Sequence, residues 1–363
     1  LRARIGPTAA STPSVLPFRR PDSGAIGEVI EQALTNAALM KPRPVAADSD
    51  DGAPIPSGVA RGDGAESAND ATSGTFLRRS FSNSAGTRAY ALHVPARYAE
   101  LSAPVALVVM LHGCTQSPED FAAGTRMNEL ADARGFLVVY PEQPARANGS
   151  RCWNWFSPND QRRDRGEPSL IAGIVREVAQ NYRIDQARIF VAGLSAGAAM
   201  AVVLGETYPD LFAAIGAHSG LPFGAASDVP SAFAAMRNPN ARPAANRAGA
   251  RSPRNVRDAP RTIVFHGDSD STVNVGNGLA IEADALRAAP GGEALRSRTE
   301  QGHAPSGRLF TRTTHMDAEG TPRVERWILG GAGHAWSGGS SSGSFTDPEG
   351  VDASAEMIRF FGV

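Results

Sequence analysis

Short runs that are apolar at nearly every position recur from Thr75 onward: Val105–Leu111, Phe136–Tyr140, Ile189–Ala192, Ala213–Ala217 and Thr262–Phe265. Such runs predict strands buried on both faces. Stretches with helical spacing alternate with them, at Glu119–Ala133, Leu170–Tyr182, Ala196–Tyr208 and Leu279–Ala288. Strand and helix in alternation predict an α/β fold, a mostly parallel, doubly wound sheet with helices on both faces. Ahead of it, Phe76–Pro95 carries two alternating runs around Ser84-Ala85-Gly86, the pattern of a β-hairpin. Val324–Ile328 reads as a late strand and Ala353–Phe361 as a closing helix, and no internal repeat is visible.

Two segments break the rhythm. Residues 1–74 are rich in Ala, Pro, Gly, Ser and Asp, and Ala46–Gly74 has almost no periodic apolar pattern. The segment is expected to be a flexible, low-complexity N-terminal region, with a short amphipathic helix at Gly27–Met40. The folded domain is then residues 75–363. Within it, residues 223–261 are rich in Ala, Pro, Arg and Asn, with one weak apolar cluster at Phe233–Met236. A segment this long is either a lid over a site or a mobile surface insertion.

Composition narrows the function classes. The 363 residues are 42% hydrophobic and 20% charged, as in a soluble globular protein. The net charge of -1 gives no bulk electrostatic case for nucleic acid or an anionic membrane as partner. No apolar run approaches the length of a membrane span. The N-terminus has neither an initiator Met nor a charged-then-apolar leader pattern, so a processed or trimmed chain is expected. Two cysteines are too few for a cysteine zinc site. Cys114 and Cys152 fit one disulfide better than two thiols, which favours an extracellular or periplasmic setting.

The chemistry centres on Ser195. Gly193-Leu194-Ser195-Ala196-Gly197 follows an apolar strand and opens a helical stretch. A serine hydroxyl is a weak nucleophile unless it is held exposed beside a base, and a sharp strand-to-helix turn holds it so. The pattern G-x-S-x-G alone has low specificity. Gly339-Ser340-Ser341-Ser342-Gly343 also matches it, but without a strand before or a helix after, so Ser341 reads as loop.

A working serine needs a base and an orienting acid. Of the seven histidines, His334 stands in the glycine-rich loop Gly330-Gly331-Ala332-Gly333-His334, after the last strand. His93, His112, His218, His266, His303 and His315 have contexts that suit structural or surface roles better. The acid is Asp268 or Asp270, adjacent in His266-Gly267-Asp268-Ser269-Asp270, and the residues themselves leave both open. An oxyanion hole needs two backbone N–H donors. Ala196, after the nucleophile, is one; the other comes from His112-Gly113-Cys114-Thr115-Gln116, at Cys114 or a close neighbour. Trp153, Trp155 and Trp336 flank these motifs, where either core packing or substrate contact fits. Asn148-Gly149-Ser150 matches a glycosylation sequon and reads as a turn.

These motifs in order (His112–Gln116, Cys152–Trp155, Gly193–Gly197, His266-Gly267-x-x-Asp270-x-x-Val273 and Gly333–Trp336) resemble the polyhydroxybutyrate depolymerase family of esterases, whose relatives include feruloyl and acetylxylan esterases. The similarity covers Thr75–Val363 and is that of the family's first catalytic-domain type, with the oxyanion motif before the serine. The resemblance implies an α/β-hydrolase fold, with Ser195 as nucleophile, Asp270 as acid, His334 as base and Cys114 in the oxyanion hole. It implies a serine esterase acting on polyester, oligomer or small ester substrates, with no metal or cofactor. The alternatives are a feruloyl or acetylxylan carboxylesterase and a non-catalytic binding module on the same fold. The latter would have lost a triad member, and all three are present. Two departures bear on substrate. Family members that attack crystalline polymer usually carry a linker and binding domain after the catalytic domain, whereas this sequence stops soon after Phe361. Ala198-Ala199-Met200 also lacks a second glycine sometimes seen after the nucleophile motif. Soluble oligomers, amorphous granules and small aryl esters are the expected substrates.

Overall fold

The computed structural model describes residues 74–241, 259–290 and 292–363. The expected N-terminal linker and the helix at Gly27–Met40 lie outside the described residues, as does the middle of the 223–261 segment.

The hairpin forms from β1 (Thr75–Asn83) and β2 (Gly86–Val94), paired antiparallel around a two-residue turn. Next come β3 (Val105–Leu111), α1 (Pro118–Thr125), α2 (Met127–Arg134), β4 (Leu137–Pro141), α3 (Gly166–Asn181), β5 (Ile184–Leu194), α4 (Ala196–Thr207) and β6 (Ala214–His218). The chain continues through α5 (Val229–Arg237), β7 (Arg261–Gly267), α6 (Gly276–Ala288), β8 (Arg296–His303), β9 (Leu309–Met316) and β10 (Pro322–Leu329). It closes with the short strands β11 (Trp336–Ser337) and β12 (Thr346–Asp347) and with α7 (Ala353–Phe361).

The main sheet runs β1-β2-β4-β3-β5-β6-β7-β10-β9-β8. The six central strands, β4 through β10 in that order, are mutually parallel, and the antiparallel pairs lie at the two edges. This is the mostly parallel sheet of an α/β-hydrolase. β3 shows why its strands are continuously apolar. Val105, Leu107, Val109 and Leu111 join the core under α3 and α4. Ala106, Val108 and Met110 join the core under α1, α2 and α7 on the other face. Both faces of one strand are removed from water, so every position is apolar.

Three features differ from the sequence expectation. The helix expected over Glu119–Ala133 is two helices, broken at Arg126 in the left-handed conformation (φ 55°). At the break, the Gly124 carbonyl accepts from the Ser340 N–H at 2.8 Å instead of extending the helix. The second difference is β8 and β9, which no apolar run announces: they form an antiparallel edge whose residues are largely exposed or half-buried. The third is β5, which begins five residues before the expected Ile189 because its first half is polar and partly exposed.

Candidate active site

Ser195, Asp270 and His334 each follow the carboxyl end of a central parallel strand: β5, β7 and β10. In a doubly wound sheet that edge is where loops converge on a ligand. The turn at Ser195 is as sharp as the motif requires. Ser195 has φ 57° and ψ −119°, an unfavourable conformation for a residue with a Cβ. Its N–H donates to the His218 carbonyl at 2.9 Å and its carbonyl accepts from the Ala199 N–H at 2.9 Å, which hold it there. The flanking glycines are steric necessities. A Cβ on Gly197 would come within 2.1 Å of the Leu111 carbonyl oxygen, and one on Gly193 within 2.5 Å of Gly197 backbone. The first turn of α4 therefore packs directly on the ends of β3 and β5.

The structure joins His334 to Asp270. Nδ1 of His334 lies 2.7 Å from Oδ2 of Asp270, and both side chains are buried. The other carboxylate oxygen accepts the N–H groups of Thr272 at 2.9 Å and Val273 at 2.8 Å. Burial alone would raise the Asp270 pKa. The opposite effect of His334 and of hydrogen bonds from His266 and His334 prevails and holds it well below the usual carboxylate range. A carboxylate so held keeps the proton of His334 on Nδ1 and leaves Nε2 as the basic nitrogen. Among the described residues, that Nε2 is buried without a hydrogen-bond partner. It is therefore not hydrogen-bonded to Ser195 in this state, and such contacts often form only once substrate is bound.

Asp268, the other acid candidate, is exposed, and its Oδ1 accepts from the Gly331 N–H at 2.8 Å. It ties the β7 loop to the loop carrying His334 rather than contacting the imidazole. His266 also approaches Asp270: its Nε2 lies 3.4 Å from Oδ2 and 2.8 Å from the Val273 carbonyl. The remaining histidines are placed elsewhere. His93 pairs with Asp132, His315 with Glu282, and His303 is exposed.

Cys114 and Cys152 form a disulfide, with S–S 2.06 Å. Cys114 and Ala196 line one cavity with Ser195. The Ala196 N–H opens α4 and so has no intrahelical acceptor. Trp155, Phe156, Leu221 and Val273 line it as well, and α5 contributes Val229, Ala232, Phe233 and Met236. The described part of the 223–261 segment thus lines the same cavity as Ser195. Its helix begins in a capping box between Asp228 and Ser231.

Of the three tryptophans, Trp155 alone lines this cavity. Trp153 is fully buried and donates its indole N–H to the His112 carbonyl at 3.1 Å. Trp336 is buried too, stacked on His218 with centroids 5.2 Å apart and bonded to Ser354 at 3.0 Å. Large rings with their N–H groups satisfied inside the core have nothing left to offer a ligand.

His218, read from the sequence as structural or surface, is structural. Its ring is fully buried and pushed down to about 3, chiefly by burial, so it is neutral. Nε2 accepts the Ser337 N–H at 3.1 Å, and its carbonyl holds the Ser195 N–H. It links the Ser195 turn to the strand that follows His334. Its place at a strand end, after the helix that opens at Ala196, was the signal in the sequence. Ser341, in the second G-x-S-x-G match, is exposed; its flanking glycines instead allow that loop to touch α1, where a Cβ on Gly343 would lie 2.4 Å from Gly124 Cα. Asn148 forms a turn, with its Oδ1 accepting from the Ser150 N–H at 3.0 Å. Among the described residues, no group of His, Cys, Asp and Glu side chains is arranged to hold a metal, and no helix is long and apolar enough to cross a membrane.

A family model described as esterase PHB depolymerase matches residues 88–300. Poly(3-hydroxyalkanoate) depolymerase C of Paucimonas lemoignei is 33% identical over 250 residues, covering 67% of this chain and 57% of that protein. Poly(3-hydroxybutyrate) depolymerase of Ralstonia pickettii is 31% identical over 249 residues, covering 65% and 49%. Probable acetylxylan esterase A of Aspergillus flavus is 33% identical over 176 residues, covering 46% and 56%. The chain thus spans about half the length of the curated relatives it matches. Among solved structures, acetyl xylan esterase from Aspergillus awamori superposes with a TM-score of 0.62 at 20% identity, over 80% of this chain and 99% of that one. That likeness is one of fold.

Proposed function

Because the chain belongs to the esterase PHB depolymerase family, we propose that it is a serine esterase that hydrolyses short-chain polyhydroxyalkanoate esters, as polymer or oligomer, through an acyl-enzyme. The observations that carry this reading are the 2.7 Å contact of His334 Nδ1 with Asp270 and the strained strand-to-helix turn at Ser195, each at the carboxyl end of a parallel strand. Nε2 of His334 takes the Ser195 proton as Oγ attacks the ester carbonyl. The N–H groups of Ala196 and Cys114 receive the oxyanion, each donor being worth about 10²–10³ in rate. The tetrahedral intermediate collapses, His334 protonates the leaving alcohol, and a water activated by the same nitrogen releases the acid. Asp270 fixes the imidazole tautomer and stabilises its charged form.

The cavity beside Ser195 is walled by apolar side chains and the disulfide, which suits a compact aliphatic acyl group. Trp155 is the tryptophan positioned to contact it. The disulfide supports an extracellular or periplasmic setting. A second reading, an acetylxylan- or feruloyl-type carboxylesterase, draws on the acetylxylan esterase relatives, whose sequence identity extends over less of the chain. Side-by-side kcat/KM on 3-hydroxybutyrate oligomers, acetylated xylan and methyl ferulate tests the choice. The proposal expects the oligomers to be the best substrates; a preference for either of the others would replace it.

A further inference from the structure

Behind the oxyanion loop lies a buried series of polar side chains that the steps above do not use. We propose that Glu167, Gln143 and His112 form a positioning relay that fixes the Gly113–Cys114 peptide plane and so aims the Cys114 N–H at the oxyanion. The relay rests on the esterase reading.

The imidazole of His112 is fully buried. Its Nε2 lies 3.1 Å from the backbone N of Gln143. A backbone N–H can only donate, so Nε2 carries the lone pair and Nδ1 carries the proton. That proton points to the Gly113 carbonyl oxygen, 2.7 Å away. Burial pushes His112 down to about 4, so the ring stays neutral and keeps this tautomer at neutral pH. A trans peptide is planar, and its C=O and N–H point in opposite directions. With the Gly113 oxygen drawn to His112, the Cys114 N–H is turned the other way. Among the described residues it has no acceptor, and Cys114 shares a cavity with Ser195 and Ala196. The preceding peptide is fixed as well, since Gln116 Oε1 accepts the Gly113 N–H at 2.9 Å. A flipped Gly113–Cys114 peptide would present an oxygen to the oxyanion in place of a donor.

Gln143 is itself held. Its Nε2 donates to Glu167 Oε1 at 2.5 Å and to the Cys152 carbonyl at 2.9 Å. The Glu167 carboxylate also accepts the Asn154 N–H at 2.8 Å, and so anchors the loop that carries Cys152, the disulfide partner of Cys114. A buried carboxylate is expensive, and one that accepts from both segments flanking the oxyanion loop has a positional use that an apolar residue would lack.

The test uses full-chain variants and p-nitrophenyl butyrate, with a trifluoromethyl ketone as tetrahedral analogue. His112→Asn places an amide donor near the position of Nδ1, whereas His112→Gln places it near Nε2. The relay predicts that H112N keeps kcat within about tenfold, while H112Q loses about 100-fold in kcat with KM little changed. Ketone affinity should fall in step with kcat, because its oxyanion needs the same N–H. A merely structural role for His112 would leave ketone affinity untouched in the folded fraction. Glu167→Gln gives an independent arm should H112Q fail to fold: kcat and ketone affinity fall together by about tenfold. Full activity and ketone affinity in H112Q, or in E167Q where H112Q does not fold, would overturn the relay. Ser195→Ala separates the two ideas. If it is inactive while the relay variants are unaffected, the relay alone is wrong; if it stays active, the esterase reading fails and the relay with it.

Discussion

Two aspartates two residues apart have opposite fates, and the difference lies in where their oxygens are spent. Asp270 is buried and gives Oδ2 to His334; Asp268 is exposed and gives Oδ1 to the Gly331 N–H. Asp270→Asn should therefore lower kcat by about 10⁴, because the amide favours the wrong imidazole tautomer. Asp268→Asn should keep kcat within about tenfold. Steady-state kinetics on a soluble ester checks both, and equal losses would mean that the acid is misassigned. The placement of Ser195 at a strand-to-helix turn and of His334 in a loop after a strand was legible because their context is local: a strand before the serine, glycines around the histidine. The choice between the aspartates was not, since it depends on burial and on a partner 64 residues away. The placement of the tryptophans was not legible for the same reason. Proximity in sequence to a motif does not say whether an indole faces a cavity, as Trp155 does, or the core, as Trp153 and Trp336 do.

At the scale of elements, the strands of the central sheet were readable because burial on both faces writes itself as an unbroken apolar run. β8 and β9 were not, because an exposed antiparallel edge needs no such run. The break at Arg126 was hidden as well: the Ser340 N–H that takes up the Gly124 carbonyl comes from a distant loop. α5 carries the clearest functional consequence at this scale. Phe233 and Met236 put apolar bulk into the cavity that Trp155 and Ser195 also line. Shortening Phe233 to Ala should open the cavity and raise the ratio of hexanoate to acetate ester turnover by about tenfold, the range that an extra methylene or two commands in an apolar pocket. Comparison of kcat/KM for the two p-nitrophenyl esters decides it, and an unchanged ratio would remove α5 from the acyl site.

For the molecule as a whole, neutral histidines buried in the core tie stability to pH. Burial pushes His112 down to about 4 and His218 to about 3, from an ordinary value of 6.5. A histidine with a depressed folded pKa binds fewer protons folded than unfolded. Its contribution is fully present above 6.5 and is lost as pH falls toward the folded value. His112 alone then accounts for about 3 kcal/mol between pH 6.5 and 4. Urea unfolding at pH 7 and at pH 4.5 should show a fall in midpoint that is reduced by about half in His218→Gln, since His112 still contributes; equal midpoints of the unsubstituted protein at the two pH values would contradict the burial of neutral rings.

Every step of the proposed reaction depends on attack by Ser195 on an acyl group. Rapid acid quench of the protein during turnover of p-nitrophenyl butyrate, followed by mass spectrometry of its peptides, tests it most directly. A butyryl adduct is expected on the peptide that contains Ser195, and its loss together with turnover in Ser195→Ala. Turnover that persists in Ser195→Ala, or an adduct confined to another residue, would contradict it.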